Sequence, residues 1–237
     1  MDTKKIGQHI SRQFNDEMEE IRNKVLTMGG FVEQQIDLAA QSFINCDQEL
    51  AEKVIQQDDM VNHLEMDIDH ECTEILAKRQ PAAFDLRMLI ATIKAITDLE
   101  RIGDEAARIA KMTIRLENTE YYHEQYHEIQ HLLEMVKDML NGALDAFARL
   151  SLDEVASITC QDQKVDREYT SIVRQLITRM MEDPRHITRT LDILWTARAL
   201  ERIGDHACNI CEHVIYMVKG EDVRHISQDE LEKVVSR

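Results

Sequence analysis

The sequence predicts an all-α protein built as two tandem antiparallel three-helix bundles, and three observations carry that expectation. The first is a scarcity of chain-breaking residues. Seven glycines and two prolines in 237 residues make about 4% of the chain against roughly 12% in average usage, which leaves few turns for a many-stranded sheet. The second is apolar spacing of three and four residues over long stretches, the period of a buried helix face. The third is an internal repeat. Leu99-Glu100-Arg101-Ile102-Gly103-Asp104 returns as Leu200-Glu201-Arg202-Ile203-Gly204-Asp205 after 101 positions, and Phe43, Asp58 and Val61 match Phe147, Asp162 and Val165 after 104. One structural unit is used twice.

In the first copy, helices are expected over residues 14–45, 47–79 and 84–116, with Pro81 suited to the first turn of the third. In the second they are expected over 121–150, 152–182 and 187–219. Ser151 and Glu154 have the spacing of a capping box, and Gly220 suits a helix stop. Thirty residues of helix span ~45 Å, and links of a few residues force neighbours antiparallel. The expected organisation is a first bundle over 1–117, a second over 118–220 and a polar tail over 221–237. The break falls at 117–120, and Ser227 with Glu230 predicts a short capped helix in the tail.

Forty-five acidic against 28 basic side chains leave a net charge of −17, and 43% of residues are hydrophobic. That is enough apolar material for a core in a chain of one or two domains at ~150 residues each. An acidic surface without a basic stripe argues against nucleic-acid binding. No apolar run approaches ~18 residues, since Lys94 interrupts the best stretch, so direct membrane insertion is not expected. Residues 1–14 are too polar for a signal-peptide core. Five unpatterned cysteines fit reduced thiols and a cytoplasmic location.

At ~100° per residue, Glu201, Asp205, Asn209 and Glu212 share an arc of roughly 80° on one helix. Ile203, Ala207, Ile210, Val214 and Met217 lie on roughly the opposite side. Asp162 and Asp166, four residues apart on the preceding helix, also share a face. If the two faces meet, the carboxylates repel one another unless a hard or borderline cation neutralises them. A metal is the economical reading, with a solvated acidic face as its competitor. The pattern recurs in the first copy as Glu100 and Asp104 with Asp58, Asn62, Glu65 and Asp69. There Arg108 and Lys111 fall on the same face, so a weaker site is expected. Arg101 and Arg202 are placed to orient an aspartate by charged hydrogen bonds, or to form surface ion pairs.

Cys208 and Cys211 form a C-x-x-C pair but occupy the repeat positions of Ala107 and Ala110, which reads as small-residue packing rather than redox or zinc chemistry. Glu120, His123, Glu124, His127, Glu128 and His131 give E-x-x-H three times. The expectation is a solvated helix start, with transition-metal binding or pH sensitivity as the alternative. There is no glycine-rich phosphate loop and no nucleophile elbow.

The doubled L-E-R-I-G-D, the run Asn209-Ile210-Cys211-Glu212, the segment from Pro81 to Asp85-Leu86-Arg87, and Met28-Gly29-Gly30 together resemble the PhoU family over residues 6–233. The resemblance implies a cytoplasmic, non-enzymatic accessory protein of phosphate uptake, usually dimeric, that restrains the phosphate-starvation response. It implies coupling between the ATPase subunit of a phosphate ABC transporter and a sensor histidine kinase with its response regulator. It places metal clusters on Glu100 and Asp104 with Asp58, and on Glu201 and Asp205 with Asp162 and Asp166, while Asn62 departs from an acidic position. The metal stays open among iron, zinc, manganese and magnesium. Asp85 and Arg87 are implied as partner contacts. The competing readings are a carboxylate-bridged metalloenzyme and a metal or phosphate buffer.

Overall fold

The computed structural model describes residues 3–81, 83–116 and 126–235, with side chains placed over 13–81, 83–116 and 127–235. Its helices are α1 (Thr3–Asn45), α2 (Gln48–Arg79), α3 (Phe84–Arg115), α4 (Tyr126–Arg149), α5 (Val155–Glu182), α6 (Ile187–Lys219) and α7 (Gln228–Val235). No strand occurs among the described residues. The expected break at 117–120 and the expected start of the fourth helix lie outside them.

Local chemistry sets the helix ends. Asp47 caps α2 by accepting the Leu50 amide at 3.0 Å, and Gly220 closes α6 in the left-handed region at φ 75°, where a missing Cβ removes the steric cost. Cys46 and Leu150, equivalent positions of the repeat, turn the α1–α2 and α4–α5 corners at φ 52° and 51°. Ser227 and Glu230 form one arm of the expected capping box, with the Ser227 amide and hydroxyl both donating to the Glu230 carboxylate at 3.0 Å. Ser151 and Glu154 do not. The Ser151 hydroxyl bonds Asp153 instead, and α5 begins at Val155. Pro81 lies before α3 rather than inside its first turn, whereas Pro184 opens a 3-10 turn, Pro184–His186, that leads into α6.

The repeat is visible in the core. Phe43 and Phe147 are fully buried at equivalent positions, as are Val61 with Val165 and Leu99 with Leu200. α1, α2 and α3 form one antiparallel bundle, and α4, α5 and α6 the other. The two are not separate bodies: α3 packs along α6 and α1 along α4, so one continuous core joins both copies. α3 and α6 run antiparallel. Arg87 at the start of α3 donates to the Met217 carbonyl near the end of α6 at 3.3 Å, whereas Glu105, further along α3, meets Arg202. Small side chains, Ala91, Ala95 and Ala106 on α3 and Ala197, Ala199 and Ala207 on α6, are fully buried. They let these two helices be enclosed nearly all round. The open faces of the molecule that carry the repeated carboxylates are therefore the α2–α3 pair and the α5–α6 pair.

Candidate functional site

Each copy sets an aspartate against a glycine of the neighbouring helix. A Cβ on Gly103 would lie 3.5 Å from Asp58 Oδ1, and one on Gly204 would lie 3.6 Å from Asp162 Oδ1. Both distances are ordinary van der Waals contacts; the tighter neighbour of a Cβ on Gly103 is Gln35 Oε1, at 3.1 Å. The two copies then diverge. In the first, Gln35 donates to Asp58 Oδ1 at 3.0 Å. In the second, Met139 stands at the position of Gln35 and has no proton to give, and Asp162 Oδ1 is buried with no hydrogen-bond partner.

Electrostatics follow from that difference. Burial pushes Asp162 up to about 6, with Asp166 and Asp205 adding to the shift and the neighbouring Cys208 thiol opposing it. Glu201 is buried and is pushed up to about 7, because burial and the Asp205 charge outweigh its ion pair with Arg198. Its second oxygen, Oε2, also has no partner. Asp205 is raised by the surrounding protein and by Asp166. The structure thus brings Asp162, Asp166, Glu201 and Asp205 within electrostatic reach of one another. Two buried oxygens lack donors, a condition that an oxygen-seeking cation relieves. Among the described residues, no three His, Cys, Asp or Glu side chains are already gathered into a shell that would grip an ion.

The first-copy cluster is milder. Asp58 is raised by burial and by Asp104 but lowered by Gln35 and Lys111, and Glu100 is raised by burial, Asp104, Glu65 and Asp58. Thr97 donates to Glu65 at 3.1 Å. The buried unpartnered oxygens here, Asn62 Oδ1 and Gln35 Oε1, are neutral amides. Lys111 faces the carboxylates as expected, but Arg108 does not, since it donates to both oxygens of Glu105 at 3.0 and 2.8 Å.

Four expected site residues point elsewhere. Asn209 donates to Asp98 of α3 at 3.0 Å, so it belongs to the seam between the copies. Glu212 lies among His213, Asp222, Arg224 and Asp98, beyond the Asp162 cluster. Arg202 reaches across the seam to Glu105 at 2.8 Å rather than orienting Asp205, and Arg198 is the arginine that pairs with the cluster. Arg87 packs over Gly220 and holds the end of α6, which gives it an internal partner. Arg101 is exposed and lowers the neighbouring Glu100. Asp85 is half-buried in the first turn of α3.

The seam holds a polar cluster that the helical-wheel reading missed. Asp98 accepts from His206 Nδ1 at 2.9 Å, from His213 Nε2 at 2.8 Å and from Asn209, and Asp98, His206 and His213 are all buried. Burial alone would raise Asp98, but the three donors hold it far below the ordinary carboxylate range. A signal was present: the repeat places His206 where the first copy has Glu105, and Ala199 where it has Asp98. Such an exchange at equivalent positions suits a contact between the copies.

Cys208 and Cys211 are free. Burial raises both thiols, Cys211 to about 12, the opposite of an activated redox cysteine. His127 and His131 are exposed on α4, while Glu120, His123 and Glu124 lie outside the described residues. No helix among the described residues is long and apolar enough to cross a membrane.

Comparison with known proteins follows the same division. The pattern of one family, the PhoU domain, matches residues 25–113 and 129–214. The chain is 49% identical over 227 residues to the phosphate-specific transport system accessory protein PhoU homolog of Pseudomonas aeruginosa, covering 96% of this chain and 94% of that one. It is 47% identical over 237 residues to the phosphate-specific transport system accessory protein PhoU of Escherichia coli K12, covering 100% and 98%. The crystal structure of PhoU from Pseudomonas aeruginosa superposes with a TM-score of 0.84, covering 88% of this chain and 100% of that one. The phosphate transport system regulatory protein PhoU from Streptococcus pneumoniae, 30% identical, does so at 0.82, covering 89% and 99%.

Proposed function

Because the chain belongs to the PhoU family, we propose that it is an accessory protein of phosphate-specific transport that acts as a negative regulator of phosphate uptake and of the phosphate-starvation response. In this reading it is a cytoplasmic, non-enzymatic adaptor and a homodimer. It links the ATPase subunit of the phosphate ABC transporter to a sensor histidine kinase, and when phosphate is plentiful it favours the dephosphorylated response regulator. The observation that carries the reading is similarity at 47–49% identity, over almost the whole chain, to proteins named as accessories of that transport system.

The carboxylate cluster enters this role as a metal-holding face. Asp162, Asp166, Glu201 and Asp205 would hold a divalent or transition cation, with Asp58, Glu100 and Asp104 forming a weaker counterpart eased by Gln35 and Lys111. Such an ion supplies positive charge that offsets carboxylate repulsion. The residues themselves orient the face: Arg198 holds one oxygen of Glu201.

Alkaline phosphatase activity in phosphate-rich medium tests the role. Deletion of the gene should raise it, and wild-type rescue should repress it. Unchanged low activity on deletion would remove the negative-regulator reading. Affinity capture under the same conditions should recover the kinase or the transporter ATPase.

A further inference from the structure

The carboxylate cluster occupies only part of the open α5–α6 face. Toward the Pro184 turn that face changes character: Ile177, Met181, Ile187, Leu191 and Trp195 are large apolar side chains, exposed by 39% to 79%. Ile187, Leu191 and Trp195 follow one another at four-residue intervals on α6, as Ile177 and Met181 do on α5. The antiparallel register that sets Arg198 over the Tyr169 ring at 5.8 Å brings Ile177 beside Leu191 and Met181 beside Ile187. The result is a contiguous apolar stripe, a feature that soluble surfaces rarely carry without a partner. The repeat does not require it. The first copy keeps Leu86 and Ile90 but has Thr73, Ala77 and Lys94 at the other three positions.

The surroundings of the stripe identify the chemistry of its occupant. Between residues 170 and 200 there are five arginines against three carboxylates, in a chain of net charge −17. One of those carboxylates, Asp192, is buried away from solvent. Arg185 is held by Asp183 at 2.9 and 2.7 Å, so Arg174 and Arg179 carry the positive charge that flanks the stripe. A second copy docking stripe to stripe would place like-charged rims against each other, whereas a partner carrying carboxylates around its own apolar anchors would match both parts.

We propose that the stripe of Ile177, Met181, Ile187, Leu191 and Trp195, with its arginine rim, is the docking surface for an acidic amphipathic helix of a partner protein. The assignment rests on the adaptor reading above. Trp and Arg are the residue types that dominate binding energy at interfaces, and Trp195 is the one tryptophan of the chain, so its emission reports occupancy directly.

The test is a titration of the full-length protein with the purified transporter ATPase and, separately, with the full-length sensor kinase in detergent. Trp195 emission and calorimetry are followed in parallel. Binding of one of them should shift the emission to the blue and weaken with added salt. Leu191→Ser, and the pair Arg174→Glu/Arg179→Glu, should each weaken it at least tenfold while helix content by circular dichroism stays unchanged. Wild-type binding that persists at full strength in both variants, or leaves Trp195 emission unmoved, overturns the docking surface and leaves the adaptor role standing. Absence of any wild-type binding removes both. A change from dimer to monomer in Leu191→Ser by light scattering would assign the stripe to a second copy and overturn the acidic partner.

Discussion

Asp98 of α3 and His213 of α6 share a buried hydrogen bond of 2.8 Å across the seam between the two copies, although they are 115 residues apart in the chain. His206 and Asn209 complete the set of donors on the same carboxylate. Asp98→Ala leaves three donors facing a cavity, and breaking a buried charged network of this kind costs about 3 kcal/mol. Urea unfolding checks it; a loss below about 0.5 kcal/mol, the range of ordinary surface substitutions, would show the cluster to be incidental. The contribution has a definite pH window. Because the folded-state carboxyl lies below its unfolded value of about 3.9, the stabilisation is intact above pH ~4 and is lost as pH falls toward the folded value.

Glu201 responds in the opposite direction. In metal-free protein it takes up a proton near pH 7, whereas the unfolded chain does so near 4.3. Between these values the folded state binds more protons, so stability falls as pH rises from about 5 to 7.5. Glu201→Gln should reduce that slope, leaving the part that Asp162 carries up to about pH 6. Urea midpoints at both pH values read it, and a wild-type slope retained in the variant would assign the effect to other groups.

Loading the protein with manganese, zinc, iron(II) or magnesium, followed by elemental analysis after dialysis, tests the carboxylate face. Glu201→Ala/Asp205→Ala should lower affinity at least tenfold, and Asp58→Ala should lower it less. Asn209→Ala should leave metal content unchanged and reduce stability by about 1 kcal/mol through the lost hydrogen bond to Asp98. Equal metal loss in Asn209→Ala would return that residue to the coordination shell.

The adjacent glycines of α1 should behave differently. A Cβ on Gly29 would lie 2.7 Å from Leu144 Cδ2 in the α1–α4 contact, whereas one on Gly30 meets nothing within 4 Å. Gly29→Ala should destabilise by about 1–2 kcal/mol from overpacking, and Gly30→Ala should stabilise by about 0.5–1 kcal/mol from reduced chain entropy. Thermal midpoints of the two variants decide it. Shifts of the same sign would mean that Leu144 moves aside freely.

The sequence by itself determined the helices, their duplication and the residues that share a face of one helix, because apolar period and repeat offset are properties of the chain alone. α6 ends where Gly220 places it, and the sharing of one helix face by Glu100 and Asp104, and of another by Glu201 and Asp205, follows from period and repetition, whereas the pairing of these with Asp58 and Asp162 was implied only by the family resemblance. Tertiary structure decided which neighbour each face meets. Asn209 lies on the arc of Glu201 and Asp205, yet α3 approaches α6 closely enough for Asp98 to take its amide. Arg202 turns to Glu105 for the same reason, and Ser151 bonds Asp153 once the corner forms. Glycines and alanines let α6 be enclosed on two sides, and a wheel drawn for one helix with one buried face has no place for the second. The partner of a side chain on such a helix is set by interhelix distance and register, which arise only when the two copies pack against each other.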